Sequence, residues 1–266
     1  MTAKLHRVHI TGIGEAMVPQ GSGHPFEAYD GPPPGFGIGD ILRLGNKTFV
    51  LGKLGGTITS TGLGLKNGAA QGADQVVLGA AASAGDTTVI LTTSATSGAA
   101  GTGLTVVDEY KGGTLVLFKA GVDKPQIRGI MGNTARAATG AVNVTFTLDS
   151  PLTLDLAVTD VGEAMASPWA YLVQDVEISH PVVGVATVVG TSGQYIWVQT
   201  WGPCFVSPQS GVGVAGQVGC WWRHDGSLDV YANIGSYVNT QYAGFVLAEA
   251  IAHTQGAPFF MLQVTP

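Results

Sequence analysis

The chain has 266 residues, a formal net charge of −6 and only 11% charged residues, against about 25% in an ordinary soluble domain. No basic run is denser than Lys4, His6 and Arg7, so the cations that neutralise phosphates are missing and direct nucleic-acid binding is excluded. Forty glycines without a G-X-Y period exclude collagen, and no apolar run reaches the ~20 residues of a membrane helix.

Residues 1–40 read as an extended N-terminal arm. A short strand is expected at Val8-His9-Ile10. Beyond it, Pro32-Pro33-Pro34 favours polyproline geometry, a segment that does not fold on itself and lies along a partner or stays disordered. Ile41–Leu44 and Thr48–Leu51 flank Gly45-Asn46-Lys47 as a hairpin. Gly62–Ala73 is small and polar and reads as loop.

The middle of the chain, 75–165, reads as an inserted β module, with the main β domain formed by 41–74 and 166–266. Strands are expected at Asp86–Thr93, Leu115–Phe118 and Ile127–Met131. Val142, Val144, Phe146 and Leu148 alternate with polar residues, the period of a half-buried strand. Leu152, Leu154 and Leu156 repeat that pattern after the turn at Asp149-Ser150-Pro151.

Val182–Val206 is the most informative stretch. Val185–Val189 is rich in β-branched residues, Gly190–Gly193 carries turn chemistry, and Tyr195–Trp201 resumes as a strand that Gly202-Pro203 is expected to end. Tyr195, Trp197, Gln199 and Trp201 share one face of it. Gln217–Trp222 and Leu228–Ala232 flank a turn containing Asp225-Gly226. Trp221 and Trp222 are adjacent, so one faces core and the other an interface or ligand. Gly244–Ile251 and Phe259–Val264 read as a closing hairpin, with a short helix over Phe245–Ala252 as the alternative. Short strands between turn signals make the chain all-β, a β-sandwich or barrel.

The chemistry-bearing residues form no catalytic constellation. Gly211–Gly216 matches GxGxxG but runs into a strand-like segment, so it reads as a glycine-rich loop. The six histidines form no HxxxH or HExxH, and no CxxC exists; no metal and no cofactor are expected. Cys204 and Cys220 are expected as small buried thiols, with pairing left open. Ser179-His180 and His224-Asp225 offer triad letters without a GxSxG elbow. Asp175 and Glu177 share a strand face and are the one carboxylate pair suited to glycosidase chemistry, against the plainer reading of a solvated face. The N-terminus lacks the apolar core of a signal peptide, so Sec export is not expected. A surface this poor in charge calls for cover by other chains, and aromatic residues concentrate binding energy in such contacts. The expected contact residues are Pro32, Pro33, Pro34 and Phe36 in the arm, with Tyr195, Trp197, Trp201, Trp221 and Trp222 in the hairpins.

Three stretches are similar to structural proteins of tailed bacteriophage virions: Lys53-Leu54-Gly55-Gly56, Pro181–Ala186, and Gln194–Cys204 with its YxWxQTWGPC. Gly244–Ala250, followed by a turn and Phe260-Met261-Leu262, resembles the terminal hairpin of small capsid decoration proteins. The resemblance implies a non-enzymatic capsid decoration, or cement, protein on the outer shell, assembled in the host cytoplasm. Its implied partners are the major capsid protein and copies of itself, a trimer favoured, without nucleic acid or membrane. The rival readings are a glycan-binding adhesin or fibre-base protein using the tryptophans, and a tail or baseplate component.

Overall fold

The computed structural model describes residues 5–10, 14–19, 24–68, 73–93, 106–136, 142–174, 180–214, 216–233, 238–247 and 259–265. The protein is all-β, and its antiparallel sheets form a half-barrel and a near-barrel. It divides into two compact units, Met1–Gly68 with Tyr171–Pro266, and Ala69–Ala170.

The strands of the first unit open with β1 (Leu5–Ile10), β2 (Gly14–Pro19), β3 (Ala28–Tyr29), β4 (Ile41–Leu44), β5 (Lys47–Lys53) and β6 (Gly64–Asn67). The second unit holds β7 (Ala73–Val77), β8 (Thr88–Thr93), β9 (Thr114–Phe118), β10 (Gln126–Asn133), β11 (Val142–Leu148) and β12 (Val161–Met165). The first unit resumes with β13 (Leu172–Val173), β14 (Val182–Ala186), β15 (Tyr195–Cys204), β16 (Gly219–Arg223), β17 (Leu228–Asp229), β18 (Val238–Val246) and β19 (Phe260–Gln263). Among the described residues the single helical piece is the 3-10 turn Tyr231–Asn233.

β7 to β12 form one sheet in the order β7-β12-β9-β10-β11-β8. Its ends meet where Leu78, just past β7, bridges Leu91 of β8. Alternation along β8, β9 and β11 sends Leu91, Leu115, Leu117, Val144 and Phe146 inside, where all are buried. Leu152, Leu154 and Leu156 do not form the expected strand. Leu152 and Leu156 are buried, but their N–H groups donate to Asp86 and Ala82 in a loop rather than along a ladder.

The sheet of the first unit runs β17-β16-β18-β19-β15-β5-β4-β1-β2, with β3, β6, β13 and β14 pairing off this path. β15 is its hub. On one side it pairs with β5; on the other it meets β3, β14 and β19 in turn. The strand continues past the expected stop to Cys204. Proline is tolerated at Pro203 because β5 pairing ends at Trp201↔Thr48, and the last residues need a ladder only on the β19 side. Gly202 has φ +97°, and a Cβ there would strike the Asn46 carbonyl oxygen. The expected loop at Gly62–Ala73 holds β6, whose Lys66 is buried and donates to the His224 carbonyl oxygen.

The arm reading of residues 1–40 is corrected. Leu5–Ile10 and Gly14–Pro19 pair as a hairpin, and residues 24–40 lie on their own sheet. Tyr29 pairs with Tyr195, Pro33 is buried, and the Phe36 ring meets Trp197 edge-on at 5.1 Å between centroids. The cause is the aromatic face of β15, which Leu42, Phe49 and Leu51 cover only in part. The chain leaves and returns at one place, where Gly68 N–H donates to the Tyr171 carbonyl oxygen at 2.8 Å.

Candidate interaction surface

The expected contact residues fall into two groups. Trp197 and Trp222 are 0% exposed and belong to the cores of this chain, which corrects their assignment as contacts. Trp197 sits with Leu42, Phe49 and Leu51 beneath Phe36; Trp222 sits with Val182, Leu228 and Phe260. Pro33 is buried as well. Pro32 and Pro34 are exposed, Phe36 and Tyr195 are half-buried at the edge of the Trp197 cluster, and the Lys53 ammonium lies over the Tyr195 ring at 5.7 Å. Trp201 and Trp221 are half-buried on the outer face.

That outer face is built by strand parity. On β16, Cys220 and Trp222 point inward, so Gly219, Trp221 and Arg223 point outward. Facing residues share a side: Trp221 pairs with Tyr242, Gly219 with Phe245, Phe245 with Met261, Met261 with Pro203, and Gln263 with Trp201. The result is an aromatic strip across four strands, bounded on the β17 side by Asp229, which faces Trp221 in the ladder.

At one end of the strip three aromatic rings pack together. Trp221 meets Tyr231 at 5.2 Å and Tyr242 at 5.4 Å, both edge-on. Tyr231 is 67% exposed and Tyr242 41%. Gly219 makes room for this: a Cβ there would lie 3.1 Å from the Trp221 ring. Asp229 holds Tyr231 in place. Its Oδ1 accepts from Val230 N–H and from Asn233 Nδ2 at 2.7 Å, fixing the 3-10 turn that carries Tyr231. Arg223 is flanked by Asp225 at 3.4 Å and Asp229 at 3.9 Å, which cancels its charge beside the rings. Burial pushes the Asp225 carboxyl up, but hydrogen bonds from the Ser227 hydroxyl and N–H and the Arg223 charge bring it below the ordinary value. Burial also pushes the Tyr242 phenol up, so it stays neutral.

No protein-family model, curated protein or solved structure matches this chain.

A cleft of about 200 Å³ lies elsewhere in the first unit, lined by Phe26, Lys47, Thr187, Gln199, Cys204 and Phe205. Gln199 Nε2 is committed to the carbonyl oxygens of Trp201, Gly202 and Pro203. Cys204 and Cys220 are both free. Burial pushes each thiol up to about 12, so neither supplies a thiolate nucleophile near neutral pH. The Gly211–Gly216 loop leads into β16, the wrong context for a dinucleotide. Asp175, Glu177 and Ser179 lie outside the described residues, as do Ala248–Ile251 and His253. Among the described residues, no three His, Cys, Asp or Glu side chains converge on a point that could hold a metal.

Sequence reasoning separated the faces of Trp221 and Trp222 but had no signal for Tyr231 and Tyr242. Their place beside Trp221 depends on the β16–β18 register, which carries two shifts, and on the turn after β17.

Proposed function

We propose that the chain is a non-enzymatic structural protein of a tailed-phage virion, a capsid decoration protein on the outer shell, using no cofactor or metal. Its partners in this reading are the major capsid protein and copies of itself, as a trimer. The observation that carries the reading is the Trp221–Tyr231–Tyr242 cluster, continued by Phe245 and Met261 on one outward sheet face. Rigid aromatic side chains on a sheet lose little entropy on binding and bury large areas, which suits a repeated lattice contact. Many copies acting together make modest single contacts sufficient. The low charge of the chain and the resemblance at Gln194–Cys204 point the same way. The test is addition of purified protein to undecorated shells. Trp221→Ala should abolish decoration while leaving thermal unfolding nearly unchanged; full decoration by this variant would count against the reading. Immunogold labelling of particles separates a head position from a tail or baseplate one.

The same exposed cluster favours one second reading, a glycan platform, since sugars stack on exposed rings. A glycan array with hits lost in Trp221→Ala and no shell binding would select it. Trp222 is no probe for this, because it is core.

A further inference from the structure

We infer that the cleft beside Gln199 binds an N-acylated apolar amino acid through its free carboxylate, the chemistry of a single acylamino acid or of the last residue of a peptide chain. The cleft is separate from the aromatic strip, and its ligand does not depend on the capsid reading.

The cleft lies on the face of the first-unit sheet that carries both of its cores. Val185 belongs to the Trp222 cluster and Cys204 packs on it, while the Phe26 ring meets Phe49 of the Trp197 cluster edge-on at 6.3 Å between centroids. Strand pairing turns the polar groups the same way. Gln199 faces Phe49 on β5 and Val185 on β14, and Lys47 is two positions from Phe49 and so on the same face. Both aromatic walls are tied to the sheet. The Thr187 hydroxyl donates to the Pro25 carbonyl oxygen at 2.6 Å, which holds Phe26. On the other side, Gly62 N–H donates to the Ala186 carbonyl oxygen and Ser207 N–H donates to the Gly62 carbonyl oxygen. Phe205 lies against Gly62, where a Cβ would come within 2.8 Å of its ring. Phe26 is 51% exposed and Phe205 56%, so two fixed rings stand open to solvent beside a cleft that is already formed.

The groups around the cleft select the ligand. Lys47 is the one charged side chain among the described lining residues, and no described carboxylate pairs with it. It calls for an anion, and a carboxylate on an apolar body suits a site walled by rings. The Cys204 thiol is pushed up to about 12 by burial, stays neutral and does not compete for the lysine. Gln199 is 2% exposed, and its Nε2 is held by the carbonyl oxygens of Trp201, Gly202 and Pro203. Its Oε1 accepts from no described group, and an acceptor in that state calls for an N–H from the ligand. An amide N–H meets that need, whereas the ammonium of a free amino acid would be repelled by Lys47. A volume of about 200 Å³ is below the ~300 Å³ of drug-sized sites and takes one residue rather than a cofactor. Carboxylate, adjacent amide N–H and apolar side chain occur together in an acylamino acid.

The test is isothermal titration of the full chain with N-acetylphenylalanine, for which saturable binding is expected. N-acetylphenylalaninamide lacks the carboxylate and phenylpropionate lacks the N–H, and each should bind at least about fivefold more weakly. Lys47→Met should weaken binding about tenfold and Lys47→Arg should preserve it, with thermal unfolding unchanged in both. A glycine-rich hexapeptide ending in a free phenylalanine should bind more tightly than N-acetylphenylalanine if the ligand is a chain end, and no more tightly if it is a free acylamino acid; either result supports the recognised group. No saturation up to about 10 mM overturns the proposal. So does equal affinity for the acid and its amide, equal affinity for phenylpropionate, or a Lys47→Met variant that binds like the unaltered chain.

Discussion

The side-chain amide of Gln241 makes both main-chain hydrogen bonds of Val182. Nε2 donates to the Val182 carbonyl oxygen and Oε1 accepts from its N–H, each at 2.7 Å. One glutamine thus does the work of a strand residue beside β14, whose register shifts at this point. Val182 is buried, so both groups would otherwise go unsatisfied. Gln241→Ala should therefore destabilise the first unit by about 2–4 kcal/mol, from two orphaned buried groups. Urea unfolding measures it, and a loss below about 1 kcal/mol would mean that water replaces the amide.

The two adjacent tryptophans should separate stability from binding. Trp222→Ala removes a wholly buried indole and should cost about 3–5 kcal/mol. Trp221→Ala takes away a half-exposed ring and should cost under about 1.5 kcal/mol, within the usual worth of edge-on ring pairs. Equal losses in thermal denaturation would contradict the assignment of their faces.

Asp160 should make the second unit sensitive to acid. Backbone N–H groups of Ala120 and Ala157 donate to its two oxygens at 2.9 and 2.8 Å, and they hold its carboxyl below the ordinary carboxylate value. A depressed folded value means that the stabilisation is complete above the unfolded value of about 3.9. It is lost as pH falls through the lower, folded value. Asp160→Asn keeps one acceptor oxygen and should cost about 1–2 kcal/mol at neutral pH. The variant should also show a flatter decline of unfolding midpoint below about pH 4. An identical acid limb in both proteins would refute this role.

Gly226 is needed for more than its turn. Its φ is +79°, and an added Cβ would lie 2.9 Å from the Gly64 backbone nitrogen, where Gly64 N–H donates to the Gly226 carbonyl oxygen. Gly226→Ala should cost more than about 1 kcal/mol, because the alanine must hold a positive φ against the Gly64 backbone. Gly45→Ala, also at positive φ but with open space around its Cβ, is the control and should cost less. Equal unfolding midpoints would remove the case for a steric contact at Gly64.

Truncation should distinguish the two parts of residues 1–40. Removing 1–20 deletes a hairpin joined to the sheet at His9↔Arg43 and should leave the unfolding midpoint close to that of the full chain. Removing 1–39 strips Phe36 and Tyr29 from Trp197 and should lower it and red-shift the tryptophan emission. Matching spectra from the two truncations would show that residues 24–39 do not cover Trp197.

Strands with clear alternation or tight glycine turns were legible in the sequence. The 41–53 hairpin, Thr88–Thr93 and Val142–Leu148 all carry such signals. β2, β6 and β12 were not, because Gly-Glu-Ala-Met, Gly-Leu-Lys-Asn and Val-Gly-Glu-Ala-Met show no period that separates strand from loop. Gly162 in β12 illustrates the difficulty. Its missing side chain is what admits Leu91 and Leu117 to the interior, so the best evidence for the strand is an absence. The aromatic face of β15 was expected to meet another subunit; over Trp197 the cover comes instead from residues 24–40 of this chain, and proline-rich composition says nothing about where such a segment lies down. The outward strip was half legible: parity split Trp221 from Trp222, while the tyrosines beside Trp221 are brought there by a register that only the folded sheet defines.

The hydrogen bond from Gly68 to Tyr171 has a consequence for how this chain can be altered. The ends of the Ala69–Ala170 unit are already side by side, continued by the pairing of Asn67 with Leu172. A reading frame cut at these two points could be rejoined by a tight turn, or could receive a different domain, without moving a strand of the first unit. The Ala69–Ala170 stretch is thus a unit that protein engineering can remove or replace at a single seam.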